Sequence, residues 1–320
     1  MDEFKLIKKY FSNLAKKSKG SLNLNDDVFF DKSNKLVVSV DSYVEGNHFI
    51  NFKKPDLVIK KIIRSSISDL FCKGVKPKYY FLSASGNSKV FSKNNLSKIS
   101  KSLKEEQKKY NIILGGGDTI YSTKLSFTVT SIGFSSKIIY RNSSKINDDI
   151  YVTGNLGDSF LGLLLLKNKI RLNSKLSTYF INQYYKPEIK YSITDHLNKF
   201  ATSSIDLSDG LISDLEKLIN KQKNSYRLFF DKIPVSKNLN SVINLKKLLK
   251  KNFISKGDDH QILFTSNFKN RSSIKEISST KKIKITRIGK IFNSMHKSSI
   301  IDRNRRQIKI NNKGYIHRFD

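Results

Sequence analysis

Residues 203–215 read Ser-Ser-Ile-Asp-Leu-Ser-Asp-Gly-Leu-Ile-Ser-Asp-Leu, and this stretch constrains the chain more than any other. An extended apolar run through Ile205 and Leu207 delivers two carboxylates, Asp206 and Asp209, followed at once by Gly210. Leu211, Leu215, Leu218 and Ile219 then recur at helical spacing, so a helix starts near residue 210. A junction between a strand and a helix offers free backbone N–H groups and suits an anion. Two carboxylates at such a place are consistent with an anion only if a cation lies between them. Magnesium meets that need, taking carboxylate oxygens on one side and phosphate oxygens on the other. Taken alone, the stretch is equally explained by Asp206 or Ser208 capping the helix.

The chain has 320 residues, enough for one large or two ordinary domains. Its single cysteine, Cys72, excludes a disulfide framework and a cysteine zinc site; it reads as a small buried residue in a helix. The first residues lack the continuous apolar run of a signal peptide. The longest compact apolar run, Leu161 to Leu166, falls far short of the ~20 residues that span a bilayer. A cytoplasmic protein with no membrane partner is expected. The net charge of +33 comes from lysines scattered in pairs, such as Lys16 and Lys17 or Lys250 and Lys251, rather than from one basic tract. That pattern reads as compositional drift and predicts no nucleic-acid partner, with steering of phosphate-bearing substrates as a by-product.

Strand and helix patterns alternate along the whole chain. Phe4, Ile7 and Phe11 mark a short opening helix, and residues 36–40 form a β-branched strand that ends at Asp41. A turn over residues 44–49 carries His48. Leu57, Ile59, Ile62, Ile63, Ile67 and Leu70 give a helix over residues 56–71. Asp69 near its C-terminal end opposes the helix dipole, a local conflict of the kind that marks function. Residues 79–84 read as a strand and 95–110 as a basic helix. A short strand over 111–114 then runs into Gly115, Gly116, Gly117 and Asp118. Residues 125–134 form a further strand. In the second half, strands are expected at 150–153, 228–230, 262–264, 285–289 and 308–310, and a helix at 160–166. Pro187 breaks the helix before it. The fold class is therefore α/β or α+β with two lobes, joined near residues 135–149.

Asp27, Asp41, Asp69, Asp118, Asp206 and Asp209 each end an apolar run or adjoin glycine. Two such charges 4 Å apart repel by about 4 kcal/mol at an effective dielectric near 20, so a shared site needs several divalent ions. The glycine triplet before Asp118 either lets backbone approach a phosphate or makes a tight turn. The chain lacks the P-loop, the dinucleotide fingerprint and the protein-kinase motifs.

Eight motifs in order carry a family resemblance. They are Asn25 to Asp27; Ser39 to Asp41; Glu45 to Phe49; Ser68 to Leu70 with Gly74; Leu114 to Thr119; Tyr151 to Gly154 with Gly157 and Asp158; Ile205 to Leu211; and Gly257 to Asp259. Together they resemble thiamine-monophosphate kinase, from residue 2 almost to the C-terminus. The resemblance implies the two-domain fold of aminoimidazole ribonucleotide synthetase. Residues 1–137 would bind ATP and magnesium and form a homodimer through their sheet, and residues 148–320 would complete the cleft. It implies ATP as co-substrate, thiamine monophosphate as acceptor, and several Mg2+ ions. Asp27, Ser39, Asp41, Asp69, Asp118, Asp206 and Asp209 are the implied magnesium ligands. Tyr110, Gly117, Asp118, Arg141 and Ser208 are the implied nucleotide contacts, and His48, Asp258 and Tyr315 the implied substrate contacts. No general base is implied beyond the metal ligands.

Three departures from the family pattern stand out. Asn25 replaces a usual glycine, Val40 a usual threonine, and Asp258, Asp259, His260 and Gln261 replace Glu-Asp-Tyr-Glu. Other ATP-using members of the superfamily are the nearest alternative, and a basic nucleic-acid-binding protein is the alternative from another class.

Overall fold

The structure, a computed structural model, describes residues 1–319. It contains two sheets that fall on either side of residues 135–148. The first holds β1 (Phe29–Asp31), β2 (Leu36–Val44), β3 (Pro77–Gly86), β4 (Ile113–Tyr121) and β5 (Ser126–Phe134) in the order β1-β2-β5-β3-β4. Only β3 and β4 run parallel. The second holds β6 (Asp149–Thr153), β7 (Ala201–Asp206), β8 (Asn224–Phe229), β9 (Ile262–Ser266), β10 (Ile285–Asn293) and β11 (Ser299–Ile301). Its order is β11-β8-β10-β6-β9-β7, antiparallel except for β11 on β8.

Helix Pro55–Cys72 joins the two halves. It is buried along almost its whole length, as its dense apolar pattern requires. Val58, Ile59, Ile62, Ile63 and Ile67 pack against Phe127 and Val129 of β5, and against Tyr184, Tyr185 and Ile189 from the second half. Ser65 and Ser68 of the same helix face the second half. Ser68 Oγ donates to Asp206 at the end of β7, and Ser65 Oγ meets His260 Nε2 at 2.9 Å. The connection is tied to both halves: Ile139 N donates to the Lys73 carbonyl and Asn142 N to that of Leu218.

Several local expectations need correction. The strand at 36–40 continues to Val44, so Asp41 lies within β2 rather than at its end. β4 passes straight through the glycine triplet to Tyr121, so Gly115–Gly117 form neither a turn nor a phosphate loop. A Cβ on Gly117 would run into the Leu82 carbonyl of β3, and glycine there is what lets the strand pair. Residues 308–310 form no strand. The opening helix is broken by a wider turn over Ile7–Phe11. Among the described residues no helix is long and apolar enough to cross a membrane.

Candidate active site

Four segments converge between the sheets. The turn before β1 brings Asp26 and Asp27, β2 brings Asp41, the last turns of helix Pro55–Cys72 bring Asp69, and the end of β7 brings Asp206. Carboxylate oxygens of Asp27, Asp69 and Asp206 all lie within 4.8 Å of one another. Asp41 is an electrostatic neighbour of both Asp69 and Asp206, and its Oδ2 accepts from Tyr43 OH at 3.2 Å. Ser39 lies two residues before Asp41 on the same strand face, with its hydroxyl on the Ser66 carbonyl at 3.4 Å. This is a compact set of hard oxygen donors, the chemistry that fits magnesium.

The acids do not share one protonation state. Burial, with the charge of Asp206 beside it, pushes the Asp41 carboxyl up to about 7. Asp69 is raised well above the usual range by burial and by Asp41. Asp206 is as buried, and burial alone would raise it, but its hydrogen bond and ion pair with His260 at 3.2 Å hold it below the ordinary value. The same contact, with Asp258 assisting, overcomes the effect of burial on His260 and lifts it to about 9.

Basic groups of the chain balance the remaining acids. Lys73 Nζ lies 2.7 Å from Asp26 Oδ1 and 2.6 Å from Asp27 Oδ2. Arg141 holds Asp27 through its guanidinium, with Nε at 3.2 Å from Oδ2, and its backbone N–H donates to Asp26. Asp209 is paired with Lys217, which also reaches Asp214 at 2.8 Å. Asp214 in turn accepts the backbone N–H groups of Asp209 and Gly210, both at 3.0 Å, and fixes the junction between strand and helix. Helix Leu211–Leu218 begins as expected, after Gly210 at φ +133° with the Ser255 carbonyl 2.7 Å from where a Cβ would stand.

Not every expected residue joins this group. Asp118 sits opposite Ser83 in β3, which is opposite Thr128 in β5, which is opposite Ser42 in β2. That row, whose Ser42 and Thr128 hydroxyls meet at 2.9 Å, faces away from Asp41. Two strands also separate β4 from β2. Asp118 is therefore exposed on the outer side of the first sheet, while Gly117, opposite Leu82 and in line with Val129 and Asp41, belongs to an inner row. Val40 is on that outer face too, 62% exposed, so its missing hydroxyl lies away from the acids. Tyr110 ends helix Lys93–Tyr110 and is buried between Phe71 and Tyr191, with ring centroids 6.1 and 5.5 Å away. Ser208 lies between Asp206 and Asp209, its carbonyl accepting from Asp258 N at 2.9 Å.

The three expected substrate contacts do gather. The His48 ring is 5.4 Å from that of His317, which meets the Tyr315 ring edge-on at 4.9 Å. Asp258 and Lys61 are electrostatic neighbours of His48. Asp258 adopts φ +68°, and its Oδ1 is held by the buried Lys61 at 2.6 Å. Lys61 also lies 4.1 Å above the Tyr184 ring, whose hydroxyl donates to the His48 carbonyl. At the other departure, Asn25 has φ −127°, which needs no glycine, and exchanges two 3.0 Å amide hydrogen bonds with Asn220.

Sequence reading missed Lys61, Lys73, Lys217 and His260. Lys73 carried one faint signal: a lone cation between the apolar pairs Phe71–Cys72 and Gly74–Val75, four residues after Asp69. Among 60 basic residues such a signal does not stand out.

Comparison with known proteins agrees with this geometry. Residues 25–135 match the family described as AIR synthase related protein, N-terminal domain. A solved chain described as AaThiL complexed with AMPPCP and TMP superposes with a TM-score of 0.85 at 24% identity, covering 99% of this chain and 97% of that one, which shows the shared fold. The thiamine-monophosphate kinase of Buchnera aphidicola subsp. Schizaphis graminum (strain Sg) is 34% identical over 99% of this chain and 98% of its own. That of Buchnera aphidicola subsp. Acyrthosiphon pisum (strain APS) is 34% identical over 98% of both chains. On that likeness the chain belongs to the thiamine-monophosphate kinase family.

Proposed function

We propose that the protein transfers the γ-phosphoryl group of ATP to the phosphate of thiamine monophosphate, giving thiamine diphosphate and ADP. The observation that carries this is the convergence of Asp27, Asp69 and Asp206 in a chain 34% identical to named kinases of this substrate over almost its whole length. The acceptor is already an ionised phosphate oxygen, so no general base is needed. The obstacle is repulsion between two polyanions. Magnesium, when bound, neutralises both and aligns them for in-line displacement.

Asp27, Asp41, Asp69 and Asp206, with Ser39 and Asp209 alongside, are the residues that would hold it. Arg141 and Ser208 would face the nucleotide phosphates, Arg141 exchanging its pairing with Asp27 for a phosphate oxygen. Tyr110, whose buried hydroxyl has no hydrogen-bond partner, would contact the nucleotide. His48, Asp258 and Tyr315 would position thiamine monophosphate, with the Tyr315 ring a stacking partner for its cationic heterocycle. Residues 1–137 and 148–320 serve as the two domains. Two copies would pair through the outer face of the first sheet, where Val40, Phe81, Ile113 and Ile120 are exposed. That pairing would also bring Asp118 into an interface. A cytoplasmic location fits an enzyme that draws on ATP.

The test is conversion of thiamine monophosphate to thiamine diphosphate by purified protein with ATP and magnesium, read by chromatography. Product that disappears with EDTA is expected. ATP binding without product would retain the fold family and overturn the substrate.

A further inference from the structure

Lys73 follows the last turn of helix Pro55–Cys72 and is wholly buried. Its ammonium has three hydrogens and three oxygen partners: Asp26 Oδ1 at 2.7 Å, Asp27 Oδ2 at 2.6 Å and the Ser204 carbonyl at 2.7 Å. Every donor is used, and two of the acceptors are carboxylates of the acid group. The Lys73 charge also acts on Asp69, opposing the rise in its proton affinity. The ammonium thus stands inside the group of acids, not at its rim. It is held there by a helix end and by the β7 backbone, both rigid. Arg141, the other cation on Asp27, is half-buried on the connection between the domains. Of the two, Lys73 is wholly buried and Arg141 keeps 12% of its side chain exposed.

We propose that Lys73 is a resident cation of the acid cluster, holding Asp26 and Asp27 in the place where a divalent ion would otherwise be needed. The inference rests on the reading of the cluster as a magnesium site. It says that this chain keeps the Asp26 and Asp27 end charge-balanced before any metal arrives. Removing the ammonium would leave two adjacent buried carboxylates without their shared partner, an arrangement that must take up a cation or protons. It also says that ion binding in this protein is concentrated at Asp41, Asp69 and Asp206, with Asp27 contributing once Arg141 has moved.

The experiment counts Mn2+ ions bound per full-length chain by electron paramagnetic resonance, without nucleotide, in wild type and Lys73→Met. Lys73→Met is expected to bind one further Mn2+ per chain, or the same number at least tenfold more tightly. It should also melt at a lower temperature than wild type without metal and recover with Mn2+. Unchanged number and affinity would overturn the proposal. Wild type that binds no Mn2+ speaks against the metal reading; a gain in the variant would still support the role of Lys73, and no gain would overturn it as well. A second measurement needs no variant. The side-chain 15N resonance of a buried, slowly exchanging lysine ammonium should persist in wild type when Mg2+ is added to saturation. Its loss on Mg2+ addition would show the ammonium displaced and overturn the proposal.

Discussion

Asp41 and Asp206 are neighbouring aspartates, yet their proton affinities move in opposite directions. Asp41 accepts from the neutral Tyr43, whereas Asp206 is paired with His260 and also accepts from Ser68. A neutral phenol leaves burial in control, whereas an imidazolium reverses it. The folded-state value of Asp41 is about 7 against 3.8 for the free group, so the folded protein binds the extra proton between those limits. Stability from this group is therefore greatest below pH 4 and is lost as pH rises towards 7. Magnesium must displace the same proton, and that of the raised Asp69 beside it, so its affinity should increase by at least about tenfold per pH unit up to about 7. Calorimetric titration between pH 5.5 and 8 in buffers of different ionisation enthalpy checks this, and constant affinity with no proton release would refute it. Asp209 gives a second test. Its backbone is fixed by Asp214 and its carboxylate by Lys217, so Asp209→Asn should keep the fold while lowering turnover about a hundredfold or more. Near-normal turnover would remove its metal role. Asp27, Asp69 and Asp206, which the fold brings together, stood out in the sequence by their place beside apolar runs, but the same rule also picked Asp118, which lies on the other face of the first sheet. The cations of the site did not stand out, since Lys61, Lys73 and Lys217 look like any other lysine until the fold withdraws them from water.

Helix Pro55–Cys72 was readable from its apolar period, but the period says nothing of what its polar residues do. Arg64 shows the gap. In sequence it is one more basic residue; in the fold it makes two 2.8 Å hydrogen bonds to Glu106 of helix Lys93–Tyr110, and both side chains are buried. The fork also reaches the Pro187 carbonyl at 3.2 Å, so the pair fastens both helices to the chain beyond the helix break. Glu106→Ala leaves the guanidinium buried without its carboxylate. A loss of about 3–5 kcal/mol is expected in urea denaturation, against less than about 1 kcal/mol for Glu105→Ala, whose pair with Lys60 is exposed. Equal losses would mean that the buried pair does not hold the helices. β4 fails for the opposite reason. Glycine normally interrupts a strand pattern, and three in a row suggest a loop. Here the close approach of the Leu82 carbonyl demands glycine within the strand, and only the partner strand reveals that demand.

At the scale of the molecule, the first sheet has one face against helices Pro55–Cys72 and Lys93–Tyr110 and one face uncovered. The uncovered face carries Val40, Phe81, Ile113 and Ile120, exposed by 62, 39, 54 and 55%. Apolar side chains grouped this way on adjacent strands favour a partner surface. An identical sheet is the simplest partner, because a two-fold axis makes one face self-complementary. Phe81 lies in one row with Val40 and Thr130, and its ring also packs on Gly115 and Gly116. Asp118 lies in the next row, alongside Ser83. A charge at position 81 would be desolvated in each of two copies on pairing. Phe81→Arg is therefore expected to shift the protein from dimer to monomer in light scattering while leaving its circular dichroism unchanged. Because Asp118 lies on that face, the monomer should also lose most of its turnover with ATP and thiamine monophosphate. A variant that remains dimeric would move the interface elsewhere. A monomer with full turnover would show that the acids between the two sheets act without Asp118, and that each chain carries a complete site of its own.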